Sequence, residues 1–370
     1  MKKLLFLMAA TLVSVPVLAQ NTLHLLIGTY TGTGSTGIYS FDFNQQTGKV
    51  KKTSETAVEN PSFVALSPDN KFAYSVSENG DGKGGVTAFA YDGSAKLTKL
   101  NTQSSNGDAP CHVNISADGK FVVVSNYSGG NFSVYPVKTD GSLGEAVQTI
   151  QHFGSGPDKS RQEKPHVHQS VFSPDGKYLF VNDLGLDKTF IYPFNSASAT
   201  PVDTVKAKTV AAKPGAGPRH ITFHPNGKLV FLVTEMGSAV SSFKYADGNL
   251  TPVQTESILP KDFHGETGAA DIHVSPDGRF VYASNRLQTN NITAFRIDPD
   301  TGKLSFVQQI STFGKNPRNF MITPNGKFVL AGNQDSAEIV VYKRDAASGL
   351  LFPMQKRISV QKPVCIIAAH

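Results

Sequence analysis

Residues 218–235 read PRHITFHPNGKLVFLVTE, and their pattern is that of a β-hairpin. Ile221 and Phe223 alternate with polar neighbours, His224-Pro225-Asn226-Gly227 forms a turn, and Leu229 to Val233 supplies a second apolar run rich in residues that suit a pleated strand. Asn-Gly is a strong turn signal because both residues tolerate positive φ, so a tight turn is expected at Asn226-Gly227. Arg219 and His220 then open the first strand, and Glu235 closes the second at the same end of the hairpin. A cation and a carboxylate meeting this way often form no more than a structural ion pair. The rest of the chain favours a site.

The same plan recurs at Ser67-Pro68-Asp69-Asn70, Ala117-Asp118-Gly119, Ser173-Pro174-Asp175-Gly176, Ser275-Pro276-Asp277-Gly278 and Thr323-Pro324-Asn325-Gly326, each followed by Lys or Arg. Successive turns stand 49, 57, 51, 51 and 48 residues apart, and a period of this size marks a repeat architecture. A third alternating run follows each turn, for example Val86 to Tyr91 and Ile292 to Ile297, and a weaker fourth run comes after it. Four strands per repeat with little helical periodicity predict an all-β propeller.

The chain ends complete the ring. Pro363 to Ala368 reads as a first strand without a hairpin partner, whereas Leu23 to Tyr30, Ile38 to Phe43 and Val50 to Ala57 read as second, third and fourth strands without a first. Pairing them gives seven blades of four antiparallel strands and leaves no open edge. Residues 20–370 are therefore expected to form a single seven-bladed domain.

Ahead of it, Lys2 and Lys3 precede an apolar run from Leu4 to Leu18, and Val17-Leu18-Ala19 offers a small residue before Gln20. That is the layout of a cleavable signal peptide over residues 1–19, so a periplasmic or secreted protein is expected. No second apolar stretch is long enough to span a membrane. Without Lys2 and Lys3 the formal charge falls from +6 to near +4, and no dense basic run or aromatic-basic interleaving points to nucleic acid. A closed ring has no edge that forces assembly, and a monomer is expected.

In a propeller the first strand of each blade lines the central channel. The residues seven before each turn are Ser62, Cys111, His168, Arg219, Ala270 and Arg318, with Val364 equivalent; the next positions hold Phe63, His112, Gln169, His220, Asp271, Asn319 and Cys365. Second strands return to the same face at Glu78, Tyr127, Leu184, Glu235, Arg286 and Gln334. One mouth thus gathers His112, His168, Arg219, His220, Glu235, Asp271, Arg286 and Arg318. Cations crowded together repel one another unless an anion sits among them. The long polar loop from Gln151 to Pro165 leads into this face, as does Asp262 to Ala270. His166 and His168 have the alternation of a metal pair, yet no Cys ligand or carboxylate cage accompanies them and nearby arginines oppose a cation. No metal or cofactor is expected. Cys111 and Cys365 fall on inner strands of non-neighbouring blades, too far apart for a disulfide, and two free buried thiols are expected.

The run Lys-Pro-His-Val-His-Gln at 164–169, Gly-x-Gly-Pro-Arg-His at 215–220, and Glu235 closing the hairpin resemble the seven-bladed-propeller lactonase family, which includes propeller-type 6-phosphogluconolactonases and carboxymuconate-lactonising enzymes. The resemblance spans residues 23–370. It implies His168, Arg219, Glu235 and Arg286 as catalytic residues and a small anionic lactone as substrate. Lactone hydrolysis needs a base for water, a cation or donor for the developing oxyanion, and a grip on the substrate. Glu235 or His168 would be the base and the other the acid, Arg219 would face the oxyanion, and His112, His166, His220, Asp271 and Arg318 are the candidate substrate-binding residues. Two other functions stay open: a muconate cycloisomerase using the same arginines, and an exported, non-catalytic binding propeller.

Overall fold

A computed structural model describes residues 21–32, 34–93 and 96–369. The expected signal peptide, residues 1–19, lies outside the described residues. Seven antiparallel sheets of four strands each account for the fold, and the only helix among the described residues is a single 3-10 turn at Gln334–Ser336. The inner strands, in ring order, are Pro363–Ala369, Val64–Leu66, Pro110–Ile115, Val167–Phe172, Pro218–Phe223, Ala269–Val274 and Pro317–Ile322; these define blades one to seven. Each inner strand packs against the next around the ring, and the last packs against the first.

Ring closure follows the expected pairing. Pro363–Ala369 adds antiparallel to Thr22–Thr29, with Leu26 opposite Ile367 and Gly28 opposite Cys365. Side chains alternate across each blade, so both faces of the second and third strands pack against neighbouring blades. Between blades five and six, for example, Phe231, Val233, Ile272, Val281 and Phe295 form one buried cluster. The fourth strands sit at the rim and show a solvated alternation, as in Val50–Ala57. Hydrophobic burial between blades is the main force holding the ring together.

The turns differ in detail from the tight two-residue form expected. Gly227 N–H donates to His224 O (2.9 Å) and His224 N–H to Leu229 O (2.9 Å), so the loop comprises Pro225 to Lys228. Gly227 has φ of 69°, whereas Asn226 is not among the positive-φ residues. The carboxylate or amide side chain instead braces the turn: in the Ser173 copy, Asp175 Oδ1 accepts from Ser173 Oγ (2.6 Å) and from Lys177 N–H (3.2 Å). The repeated Ser-Pro-Asp-Gly-Lys motif is thus a side-chain-capped loop closed by a left-handed glycine.

Five inner strands carry an irregularity close to where they begin. The pairing register shifts between Pro110 and His112, Val167 and Gln169, Pro218 and His220, Ala269 and Ile272, and Pro317 and Asn319. The closing strand does the same opposite Gly28 and Thr29. One extra residue enters each time: Cys111, His168, Arg219, Arg318 and Val364 in five of these, and one of Ala270 and Asp271 in blade six. Such a β-bulge bends the strand and re-aims a side chain.

Gly28 is where ring closure is tightest. A Cβ at this position would stand 2.3 Å from the Pro61 carbonyl oxygen and 3.2 Å from Cys365 Cβ, and the former is backbone that cannot swing away. Gly28→Ala is expected to lose about 1–3 kcal/mol of stability by overpacking, read as a lower denaturation midpoint.

Candidate active site

The bulges aim their extra residues at the channel axis. Ser62, Phe63, Cys111, His168, Arg219, His220, Arg318, Asn319 and Val364 line a pit in which only about 10 Å³ stays open, room for about one water. A substrate must therefore sit above the pit, in the mouth. A roomier concavity of about 690 Å³ lies at the outer edges of blades three and four, lined by residues such as Gln148, Phe194 and Val202, and holds none of the expected site residues.

Glu235 organises the mouth. Its Oε2 accepts from Arg219 Nε (3.0 Å) and pairs with Arg286 Nη2 (3.0 Å), while Oε1 accepts from Arg161 Nη2 (2.7 Å). Burial pushes its carboxyl up, but the guanidiniums of Arg286, Arg219 and Arg161 outweigh burial and hold it far below the ordinary carboxylate range. Arg161 was not foreseen: it comes from the loop between Gln151 and Pro165, where no blade position marks it.

Arg219 is the largest fully buried side chain, 1 % exposed. Its Nη1 donates to the Ala270 carbonyl and lies 3.3 Å from His220 Nε2. Burial, with Arg286 and Arg318 nearby, lowers its pKa to about 10, which leaves it a cation at neutral pH. Arg286 also donates from Nε to Gly268 O (3.0 Å). Across the pit Arg318 lies over the Tyr30 ring and 3.8 Å from Glu78 Oε1, while Tyr30 donates to Glu78 Oε2 (2.8 Å). The guanidiniums of Arg161, Arg219, Arg286 and Arg318 thus outnumber the two carboxylates paired with them, Glu78 and Glu235, while the Asp271 carboxylate acts on Arg219 from beneath.

His168 stands beside this cluster, 3 % exposed. Burial first, then Arg219, His220 and Arg318, depress its basicity well below that of a free imidazole, so the ring is neutral at pH 7. Its Nδ1 is 3.9 Å from Cys111 Sγ, and Nε2 has no hydrogen-bond partner among the described residues. Cys111 is no nucleophile: burial pushes the thiol strongly up, and its Sγ turns to the His168 carbonyl oxygen at 3.2 Å. Cys111 and Cys365 are both free and buried.

The remaining candidates separate into different settings. His220 Nδ1 lies 2.9 Å from Asp271 Oδ1, which fixes its tautomer and turns Nε2 toward Arg219. Burial and Arg219 outweigh Asp271 and lower the His220 pKa, so this pair is a neutral imidazole on a carboxylate. Asp271, expected among the substrate-binding residues, is a buried hub: its Oδ2 also meets His273 Nε2 (2.9 Å) and Asn319 Nδ2 (2.5 Å), so both oxygens are spent on the protein. His112 is packed under the pit with its ring centroid 4.2 Å from Phe63. His166 stacks on Tyr127 at 4.5 Å and accompanies Glu163, facing the long loop rather than the pit. His168, Arg219, His220, Glu235, Arg286 and Arg318 come together; His112 and Asp271 pack on His220 from behind, and His166 stands apart on Tyr127.

The sequence model of a family described as "Lactonase, 7-bladed beta-propeller" matches residues 24–368. A Bacillus subtilis protein named 6-phosphogluconolactonase is 38% identical over 348 residues, covering 93% of this chain and 97% of its own. A Formosa agariphila protein of the same name is 37% identical, covering 91% and 96%. Among solved structures, the Pseudomonas aeruginosa periplasmic gluconolactonase superposes with a TM-score of 0.90 at 35% identity, covering 94% of this chain and 99% of that one. With its seven blades, its arginine-lined mouth and these likenesses over nearly its whole length, the chain belongs to the seven-bladed β-propeller lactonase family.

Proposed function

We propose that the protein hydrolyses an aldonolactone, with 6-phosphogluconolactone the first choice of substrate, and that His168 is the general base. Both named relatives and the positive surplus of the mouth support an anionic sugar lactone. One observation carries the assignment of the base: both oxygens of Glu235 are taken by guanidiniums, whereas the neutral imidazole of His168 keeps a ring nitrogen unspent in the same pit as Arg219 and Arg318. A carboxylate surrounded by three cations is a weak proton acceptor.

In this scheme water attacks the lactone carbonyl carbon as His168 takes its proton. The carbonyl oxygen becomes an oxyanion facing Arg219 and Arg318, whose charges are already in place and shielded from bulk water. Arg318 is well suited, since Glu78 Oε1, its paired carboxylate oxygen, is 3.8 Å away and its N–H groups have no hydrogen-bond acceptor among the described residues. The ring C–O bond then breaks, the departing ring oxygen recovers the proton from His168, and the open-chain acid leaves. Glu235 acts without proton transfer, holding Arg219 and Arg286 in place and keeping their mutual repulsion in check until an anionic substrate arrives.

The proposal also places the enzyme outside the cytoplasm. Residues 1–19 have the layout of an export signal, and one relative of similar fold is named a periplasmic gluconolactonase. An extracytoplasmic lactonase would meet sugar lactones formed or imported beyond the inner membrane.

The deciding assay is opening of 6-phosphogluconolactone and gluconolactone by purified protein, corrected for spontaneous hydrolysis, with and without chelator. Activity on at least one lactone is expected, unaffected by chelator and lost by 100-fold or more, as an order of magnitude, in His168→Asn. Because the folded-state pKa of His168 is lowered below its ordinary 6.5, the base stays deprotonated as pH falls through that value. The profile of kcat/KM should therefore run level from pH 8 to 6 and decline only below; an acidic limb at or above 6.5 would remove His168 from the role.

Glu235 gives a separate test. Its lowered pKa means that its contribution to stability is present above the ordinary 4.5 and is lost only as pH falls through the lower folded-state value. Glu235→Gln leaves Arg161, Arg219 and Arg286 without their shared anion, and a loss of about 3–5 kcal/mol is expected. Millimolar phosphate should recover more of the melting temperature in Glu235→Gln than it adds to the parent protein, since the anion replaces the missing charge.

A further inference from the structure

We propose that Arg161, carried on the loop between strands Gln148–Gln151 and Val167–Phe172, is the residue that selects a phosphorylated lactone over an unphosphorylated one; the inference rests on the lactonase reading above. Of the three cations on Glu235 only Arg161 is substantially open to solvent, its side chain 44% exposed against 2% for Arg219 and 15% for Arg286. Among the described residues its only acceptors are Glu235 Oε1 (2.7 Å) and Tyr127 OH (3.4 Å), both reached from Nη2. Nε and Nη1 thus remain for a ligand, and a guanidinium can present two parallel N–H groups to a phosphate.

The loop is built to hold that side chain in place. Its two feet share one carboxylate: Asp183 Oδ2 lies 2.7 Å from His152 Nδ1, and Oδ1 accepts from the backbone N–H of His166 (2.9 Å). Within the loop, Asp158 Oδ1 accepts from the N–H groups of Ser160 (2.9 Å) and Arg161 (3.2 Å). Gln162, the next residue, is fully buried and donates from Nε2 to Leu184 O and to Asp187 Oδ1, each at 2.8 Å. Asp187 also accepts from the N–H groups of Gly215 (2.7 Å) and Gly217 (2.8 Å), just before Arg219. The Arg161 backbone is therefore fixed to the strand that carries Arg219, while its guanidinium reaches the mouth.

Position and charge select the ligand group. The pit holds room only for about one water, so the substrate sits in the mouth above it, and a substituent remote from a lactone carbonyl placed over the pit lies out toward the rim where Arg161 stands. Four guanidiniums in the mouth share two paired carboxylates, and a phosphomonoester, carrying about −1.5 to −2 at neutral pH, complements them better than a neutral sugar hydroxyl. A half-exposed ion pair adds little to folding stability, so a fold-holding role gives no reason for Arg161 to be there.

The test compares 6-phosphogluconolactone with gluconolactone in Arg161→Gln, with Lys159→Gln as a control that removes one positive charge from the same loop without touching the mouth. For Arg161→Gln the KM for the phosphorylated lactone is expected to rise about tenfold or more, with kcat and the KM for gluconolactone within about twofold of the parent. Arg161→Lys should recover part of the loss, and Lys159→Gln should change neither KM. A matching change for both lactones, or no change for either, would overturn the inference. Calorimetric binding of 6-phosphogluconate and gluconate gives a readout independent of turnover. If the parent protein opens neither lactone, the lactonase reading falls, and the binding comparison alone decides Arg161: tighter binding of the phosphorylated acid that Arg161→Gln abolishes upholds its role, and equal binding by parent and variant overturns it.

Discussion

Inner strands converge on one axis, and all but one of them gains an extra residue near its start. A regular strand would point alternate side chains into the flanking blades, where the packing is apolar. The bulge breaks the alternation for one residue and lets His168, Arg219 and Arg318 leave the interblade core and meet at the axis. The polar site and the apolar ring are thus compatible because the register slips at the mouth and nowhere else along these strands. Below the slip, Ile221, Ile272 and Phe320 return to the core.

Placing several arginines around one pit creates repulsion that the fold must contain before substrate arrives. Glu235 does so by accepting from Arg161 and Arg219 and pairing with Arg286, and Glu78 partly offsets Arg318. The guanidiniums still outnumber the carboxylates paired with them. Burial, reinforced by Arg219, Arg318 and Arg286, keeps His168 unprotonated, and Arg286 and Arg219, with Arg161, depress the proton affinity of Glu235 against its burial. Arg219, Arg286 and Arg318 therefore set the proton affinity of His168, whereas Arg161, farther out, acts on Glu235.

Much of this was legible in the sequence because the repeat fixes position. The period of the Ser-Pro-Asp-Gly turns gave the blade count, and the unmatched strands at the two ends gave the closure between Thr22–Thr29 and Pro363–Ala369. Counting back from each turn put Arg219, His168 and Arg318 at the axis without any knowledge of the bulges. What counting could not provide is side-chain direction past an irregular register. Asp271 holds the same repeat position as His220 and Asn319, which line the pit, yet it is directed into the protein, where His220, His273 and Asn319 consume it. Arg161 was invisible for the opposite reason: it belongs to an insertion outside the repeat, and only the length and polarity of residues 151–165 signalled that something there mattered. The turn geometry was misjudged because Asn-Gly suggests a two-residue hairpin, whereas the Ser and Asp side chains of its sister copies favour a longer, side-chain-capped loop.

The hydrogen-bonded floor explains how such a charged mouth keeps its geometry. Asp271 orients His220, His220 presents Nε2 to Arg219, and Arg219 is held further by the Ala270 carbonyl and by Glu235. Two of these contacts, Asp271 to His220 and Arg219 to the Ala270 carbonyl, run between blades, since Arg219 and His220 belong to blade five, and Ala270 and Asp271 to blade six. Asn319 of blade seven extends the chain by donating to Asp271 and accepting from the backbone N–H of Ile366 in blade one. The polar network therefore crosses the same interfaces as the hydrophobic core, and the closing strand is linked through Asn319, Asp271 and His220 to the buried Arg219. A rearrangement at ring closure would reach the mouth along this path, so the strand that completes the ring also helps fix the position of Arg219.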